Sequence, residues 1–370
     1  LPISAAGGGG AGGASPHWLA VYSEQKYIPQ FRGLSVDASG GSLVWERRPG
    51  TPSTGVVYRL DVSGDARWNL EVPGLRLEEA AARDDGGAAL VGFFEGTITA
   101  GRVTLTSEVQ AGFYIEVDSS GSPARGLVVE RTSDFGSASF SGIARAPDGA
   151  LILQGGFAGD VAFGSLTLLG GHSPQTPFLM KLDATGEALW ATPIAINTGE
   201  MPVFDLELDA AGNAVAVGRF SGTVDFGDGT GVHSTPYLAG FAAKLSSEGE
   251  LIWALVGDSS MSWVGCDQEL ACLVGSNVDF DGVSKRFRKI SATGDELWDV
   301  VIDEFDEPLA YRPTVIVGDD SGGFRVFGSE EEGLTVGTAD LSGAGYISFD
   351  AAGGVDGVPN PWQQLCLKGG

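Results

Sequence analysis

The sequence predicts an all-β chain built from six four-stranded units, and three observations predict it. First, one turn-and-strand frame recurs as RLDVSGDARW (59–68), EVDSSGSPAR (116–125), KLDATGEALW (181–190), KLSSEGELIW (244–253), KISATGDELW (289–298) and SFDAAGGVDG (348–357). Second, a hairpin around an Asp/Gly turn precedes each frame, as in GLSVDASGGSLVWE (33–46) and LELDAAGNAVAVG (206–218). Third, short Val, Leu, Ile and Phe runs alternate with Gly, Asp and Ser clusters, and no long stretch keeps a 3.6-residue apolar period. Repetition on this scale means one small unit stacked several times, because a single unit cannot bury its own faces.

Each element of the unit has a chemical reason. In the frame, Asp or Ser opens the turn because its side chain bonds a backbone N–H two residues on. Gly64, Gly121, Gly186, Gly249, Gly294 and Gly353 close it, since glycine takes positive φ without steric cost. Four residues later stand Trp68, Arg125, Trp190, Trp253, Trp298 and Gly357, and each indole offers a flat apolar surface to whatever lies beside its strand. The first hairpin supplies strands one and two, with Asp37, Asp84, Asp148, Asp209, Asp267 and Asp319 expected as turn caps. A glycine-rich linker follows, as in GFFEGTITAG (92–101), GGFAGDVAFG (155–164) and GRFSGTVDFG (218–227). Its glycines suit a sharp bend, and Phe94, Phe157 and Phe220 are expected to pack between units.

The ends break the pattern. Residues 1–15 contain GGGGAGGAS and read as a flexible linker. PHWLAVYS (16–23) looks like a fourth strand without its turn, while the frame at 348–357 has a turn without a Trp strand. The expected fold is therefore a six-bladed β-propeller of four-stranded antiparallel blades, with residues 16–23 completing the last blade and sealing its open edge. A single propeller domain spans 16–357, and 358–370 form a C-terminal tail in which Trp362, Leu365 and Leu367 are apolar.

The run from 142 to 254, with DAAGNAVAVGRFSGTVDFG, then FAAKLSSEG and WA, resembles the bacterial SBBP-type β-propeller repeat of exported proteins. Two units resemble it well and the others in degraded form. The resemblance implies an extracellular or cell-surface propeller, and no particular activity. LDATGEALW also resembles the tryptophan-docking motif of quinoprotein propellers, which share blade construction.

Composition narrows the function. Lys plus Arg number 22 against 48 Asp plus Glu, a formal net charge of −26. Such a surface repels phosphate backbones and anionic membranes, so neither nucleic acid nor direct membrane insertion is expected. No apolar run approaches the ~18 residues needed to span a bilayer. Cys266 and Cys272 flank the turn DQELA and align with Leu208 and Val215 of the preceding unit; a cross-strand disulfide and two buried thiols both fit. Cys366 is left over.

No nucleophile elbow, zinc-protease helix or phosphate loop is present. His17 falls in a strand, and His172 and His233 in loops. The metal candidate is NVDFDG, where Asn277, Asp279 and Asp281 alternate before Gly282, the first half of a calcium loop; Arg288 stands where its closing Glu belongs. The leading functional expectation is a non-enzymatic exported module that binds protein or carbohydrate or serves a structural role. The alternatives are an acidic hydrolase or lyase at the central channel, with or without calcium, and a filament subunit associating through its termini.

Overall fold

The computed structural model describes residues 31–37, 39–50, 53–146, 148–194, 203–226, 233–257, 259–277, 285–302, 312–329, 335–336, 339–340 and 344–359. The chain divides into two compact units, Leu1–Pro193 and Ile194–Gly370.

In unit 1 three antiparallel sheets follow one another. Sheet 1 is β1 (Phe31–Val36), β2 (Ser42–Arg48), β3 (Thr54–Leu60) and β4 (Ala66–Pro73). Sheet 2 is β5 (Arg76–Ala82), β6 (Ala88–Ala100), β7 (Val103–Val117) and β8 (Pro123–Val128). Sheet 3 is β9 (Glu130–Arg145), β10 (Leu151–Phe163), β11 (Leu166–Leu182) and β12 (Ala188–Pro193). Each is a meander whose strands pair in chain order. The core lies between faces. Leu43, Val57 and Trp68 of sheet 1 pack with Leu90, Phe94 and Phe113 of sheet 2, and Tyr114 of sheet 2 packs with Phe140, Phe157 and Phe178 of sheet 3.

Unit 2 repeats the plan. Sheet 4 is β13 (Val203–Leu208), β14 (Ala214–Val224), β15 (His233–Leu245) and β16 (Leu251–Gly257). Sheet 5 is β17 (Met261–Cys266), β18 (Cys272–Asn277), β19 (Lys285–Ile290) and β20 (Glu296–Ile302). Sheet 6 is β21 (Arg312–Gly318), β22 (Phe324–Ser329), β25 (Ala344–Phe349) and β26 (Val355–Pro359), with the short pair β23 (Thr335–Val336) and β24 (Ala339–Asp340) preceding β25. The all-β class and the six four-stranded sheets stand as the repeats predict.

The end of unit 2 holds a strand that the frame without a Trp did not announce. The fourth place of sheet 6 belongs to β26, which pairs with β25 from Ala344↔Pro359 to Phe349↔Val355. Residues 16–23, expected to complete that sheet, lie outside the described residues, as do the linker 1–15 and nearly all of the tail. The linker bend also takes a different form. β6, β10 and β14 run on through it as continuous strands, each with a register shift beside Gly96, Gly159 or Gly222. A bulge glycine at positive φ does the bending without ending the strand.

The Trp frame is explained by what each ring meets. A Cβ on Gly121 would stand 2.8 Å from Trp68, one on Gly294 2.8 Å from Trp253, and one on Gly353 3.0 Å from Trp298. Each of these three Trp residues thus lies on the second-turn glycine of the following sheet. Between sheets 2 and 3 Arg125 takes the role, donating to the Thr185 carbonyl at 2.7 Å and pairing with Glu187. The glycine serves two purposes, φ of +97° at Gly294 and room for the neighbouring indole. Gly294→Ala is expected to cost about 3 kcal/mol, strain plus displaced packing. Gly164→Ala, at φ +59° with nothing within 4 Å of its Cβ, should cost only about 1 kcal/mol. Thermal unfolding of both variants checks this, and equal losses would remove the docking role.

Candidate functional site

The turns at the ends of the first strands build a repeated polar core. Asp37, Asp209, Asp267 and Asp319 open their turns, and each accepts two backbone N–H groups through Oδ1; for Asp209 these come from Ala211 at 2.9 Å and Asn213 at 3.0 Å. Asp84 and Asp148 do not open theirs: Arg83 and Ala146 hold that place. Asp84 pairs instead with Arg145 of sheet 3, and Asp148 accepts from Ala150 N.

A cation on the third strand meets the opening Asp. Arg59 pairs with Asp37, Lys244 with Asp209 at 2.7 Å, and Lys289 with Asp267 at 3.1 Å. Sheet 2 reverses the pair, with Arg83 in the turn and Glu116 on the strand at 3.0 Å. The lysines also reach forward. Lys244 Nζ donates to the Leu270 carbonyl at 2.8 Å, and Lys289 Nζ to the Gly322 carbonyl at 2.7 Å. Lys244 and Lys289 thus join neighbouring sheets of unit 2 through buried ion pairs, while Arg59 Nη1 is buried without a hydrogen-bond partner.

The first strands are different. On β13, Asp205 and Glu207 share a face with Asp209 by the two-residue period of a strand. Asp205 Oδ2 accepts Val264 N of β17 at 3.0 Å, and its Oδ1 accepts Leu206 N at 3.0 Å. Glu79 of β5 holds the matching place in unit 1, accepting Ile143 N of β9 at 3.2 Å. This acid therefore ties first strands of neighbouring sheets. Glu207 has no such counterpart: its place is taken by Ser35, Ala81, Ala144, Gly265 and Val317 in the other five sheets.

Burial pushes the Asp205 carboxyl up to about 6, against the pull of the Val264 and Leu206 N–H groups. Burial, and then the Asp205 charge, push Glu207 up to about 8, while the Leu208 N–H opposes them. Yet both residues keep part of their surface accessible. One row beyond, Arg219 stacks over exposed Phe204 at 5.3 Å, and its Nε is buried without a hydrogen-bond partner.

The residues singled out by motif do not come together. Asn277 ends β18 opposite Lys285, and Asp279 and Asp281 lie outside the described residues. Among the described residues no three His, Cys, Asp or Glu side chains form a metal-binding group. His172 and His233 lie in strands β11 and β15, a correction to the loops expected of them; His17 lies outside the described residues. Cys266 and Cys272 are joined as a disulfide with Cα atoms 4.0 Å apart. Cys272 lies opposite Cys266 as Ala214 lies opposite Leu208, one residue from the alignment with Val215. Asp205 and Glu207 carried no motif; the only sequence trace of Glu207 is an acid where the other units have a small or apolar residue or a serine.

No known protein family matches the chain, and no curated protein matches it. Among solved structures it is similar to the Dos1 propeller at 10% identity and a TM-score of 0.44, covering 87% of this chain and 74% of that one. It is similar to a polysaccharide lyase, an ulvan lyase, at 12% identity and 0.44, covering 88% and 80%. A calcium-binding regucalcin from Agrobacterium tumefaciens gives 13% identity and 0.38, covering 83% and 85%. The resemblance is to multi-bladed β-propeller architecture, and at these scores it carries no inference about activity. No helix among the described residues is long and apolar enough to cross a membrane.

Proposed function

We propose that the six sheets are the blades of one β-propeller, and that its working site is the acid pair on β13, acting as a hydrolase on a neutral carbohydrate. The observation that supports this is the split between two carboxyls two residues apart. Values of about 8 for Glu207 and about 6 for Asp205 leave the first mostly protonated and the second mostly ionised near pH 7. Opposed protonation states are what glycoside hydrolysis requires: one group protonates the leaving oxygen while the other draws a proton from water or attacks the sugar. Partial access to both residues lets a substrate reach them. A net charge of −26 favours a neutral glycan over a polyuronate, and so hydrolysis over elimination.

A calcium ion on Asn277, Asp279 and Asp281 remains part of the proposal, resting on their alternation alone. Glu207→Gln is expected to lower turnover of a hydrolysed glycan about 100-fold or more while binding persists. Assays in calcium and in EDTA separate the metal from the acid pair. Full activity of the variant would end the enzyme reading, and small-angle scattering incompatible with a compact disc would end the propeller.

The second reading is an exported module that binds protein or carbohydrate or serves as structure. Leu189, Ile252 and Leu297, each just before the frame's Trp, are 52%, 41% and 54% exposed, a repeated apolar position on the fourth strands. The disulfide supports an oxidising location outside the cytoplasm. Partner capture without hydrolysis by the wild type would favour this reading. Light scattering tests self-association through the termini.

A further inference from the structure

The first turn of sheet 5 departs from the other five in two ways at once. Its fourth residue is Leu270 at φ +66°, where Gly40, Gly86, Gly149, Gly212 and Gly322 adopt φ between +76° and +86°. Leu270 is the one described non-glycine residue at positive φ. Immediately outside the same turn, Cys266 and Cys272 are directly opposite and covalently joined. A leucine in the left-handed region is opposed by its own Cβ, so this turn is intrinsically less favourable than its counterparts. Nevertheless it keeps their full hydrogen-bond pattern: Asp267 N donates to Ala271 O at 2.8 Å and Leu270 N to Asp267 O at 3.2 Å.

The turn is also the hub of unit 2. Lys244, 1% exposed and paired with Asp209 of sheet 4, donates to the Leu270 carbonyl. Asp267 receives Lys289, which goes on to the Gly322 carbonyl of sheet 6. A run of buried polar contacts thus crosses three sheets and passes through the one turn whose residue resists its conformation. We propose that the Cys266–Cys272 disulfide is a redox-sensitive latch that holds the Leu270 turn closed and keeps these two lysines seated. Cross-linking the turn's flanks removes open conformations that the leucine would otherwise favour. Reduction takes two electrons and two protons from a dithiol, which becomes a cyclic disulfide, and leaves Cys266 and Cys272 as thiols. Cys266 is partly accessible to such a reductant, while Cys272 is buried.

The test is thermal unfolding of the full chain, with and without dithiothreitol, in wild type and Leu270→Gly, with thiols titrated in each sample. One free thiol before reduction and three after are expected, since the sequence has three cysteines and one disulfide joins two. Reduction should lower the wild-type midpoint by roughly 5 °C or more, from the ordinary effect of a short-loop cross-link. Leu270→Gly should show a similar drop but keep its turn closed when reduced, so reduction should speed amide exchange at Leu270 and Ala271 in the wild type only. Three thiols in the unreduced protein, no drop in the wild type, or equal acceleration of exchange in both backgrounds would overturn the proposal. The variant relieves a backbone conflict and the reductant acts on folded protein, so neither arm depends on a damaged fold.

Discussion

Lys244→Met should lower the unfolding midpoint by roughly 10 °C. Lys244 and Asp209 are 1% and 0% exposed, so the pair lies wholly out of water. Desolvating two charges costs about as much as their attraction returns, so the intact pair contributes little net stability. Removing one partner is another matter, because the charge left behind costs ~3–5 kcal/mol. Asp209 would keep the N–H groups of Ala211 and Asn213 and the Asn213 side-chain amide, which places the loss near the lower end. The Leu270 carbonyl would lose its buried donor, adding about 1–2 kcal/mol. Asp209→Asn in the same background removes the stranded charge while its carbonyl oxygen still accepts the two turn N–H groups. The double variant should therefore recover about half of the loss. A single variant melting within about 2 °C of wild type would show that the pair is not enclosed as described.

That pair also marks how far a sequence of this kind can be read. The Trp frame was legible because it depends on local rules: a turn that needs positive φ at Gly294 and a strand that repeats every two residues. What Gly294 meets across the gap was not legible, since Trp253 belongs to the preceding frame. The ion pairs were hidden for a further reason. Asp37 with Arg59 and Asp209 with Lys244 follow one order, while Arg83 with Glu116 follows the other. The attraction is kept while the charges trade strands, so an alignment of units sees only two unrelated changes. The strand β26 was not anticipated because Trp marked the fourth strand elsewhere, and β26 pairs through its backbone without one. Among 48 carboxylates, alternation drew attention to Asp279 and Asp281. Asp205 and Glu207 alternate just as well within an apolar strand, but their altered acidity comes from enclosure by protein that no local pattern records.

The same enclosure predicts an unusual dependence of stability on pH. Glu207 rises from the ordinary glutamate value to about 8 and Asp205 from the ordinary aspartate value to about 6. The folded protein therefore holds these protons more tightly than the unfolded chain does. Between about pH 4 and pH 8 unfolding releases protons, so the contribution of these groups falls as pH rises; it is flat below that window, where both states are protonated, and above it, where both are ionised. Glu207→Gln replaces the carboxyl with a neutral group of similar shape that has no proton to lose. At pH 4–5 its midpoint should match the wild type, whose Glu207 is itself neutral there. By pH 9 the variant should melt roughly 4–8 °C above the wild type, an advantage of ~2 kcal/mol after allowance for residual solvent access. Asp205→Asn should show a smaller gain that is complete at a lower pH, and it should pull the Glu207 transition downward by removing the neighbouring charge. If the wild-type and Glu207→Gln midpoints ran parallel from pH 5 to pH 9, Glu207 would ionise as it does in water and could not serve as a proton donor at neutral pH. A divergence in stability together with a loss of turnover would place one proton behind both effects, because the crowding that destabilises the ionised carboxyl is also what keeps it an acid.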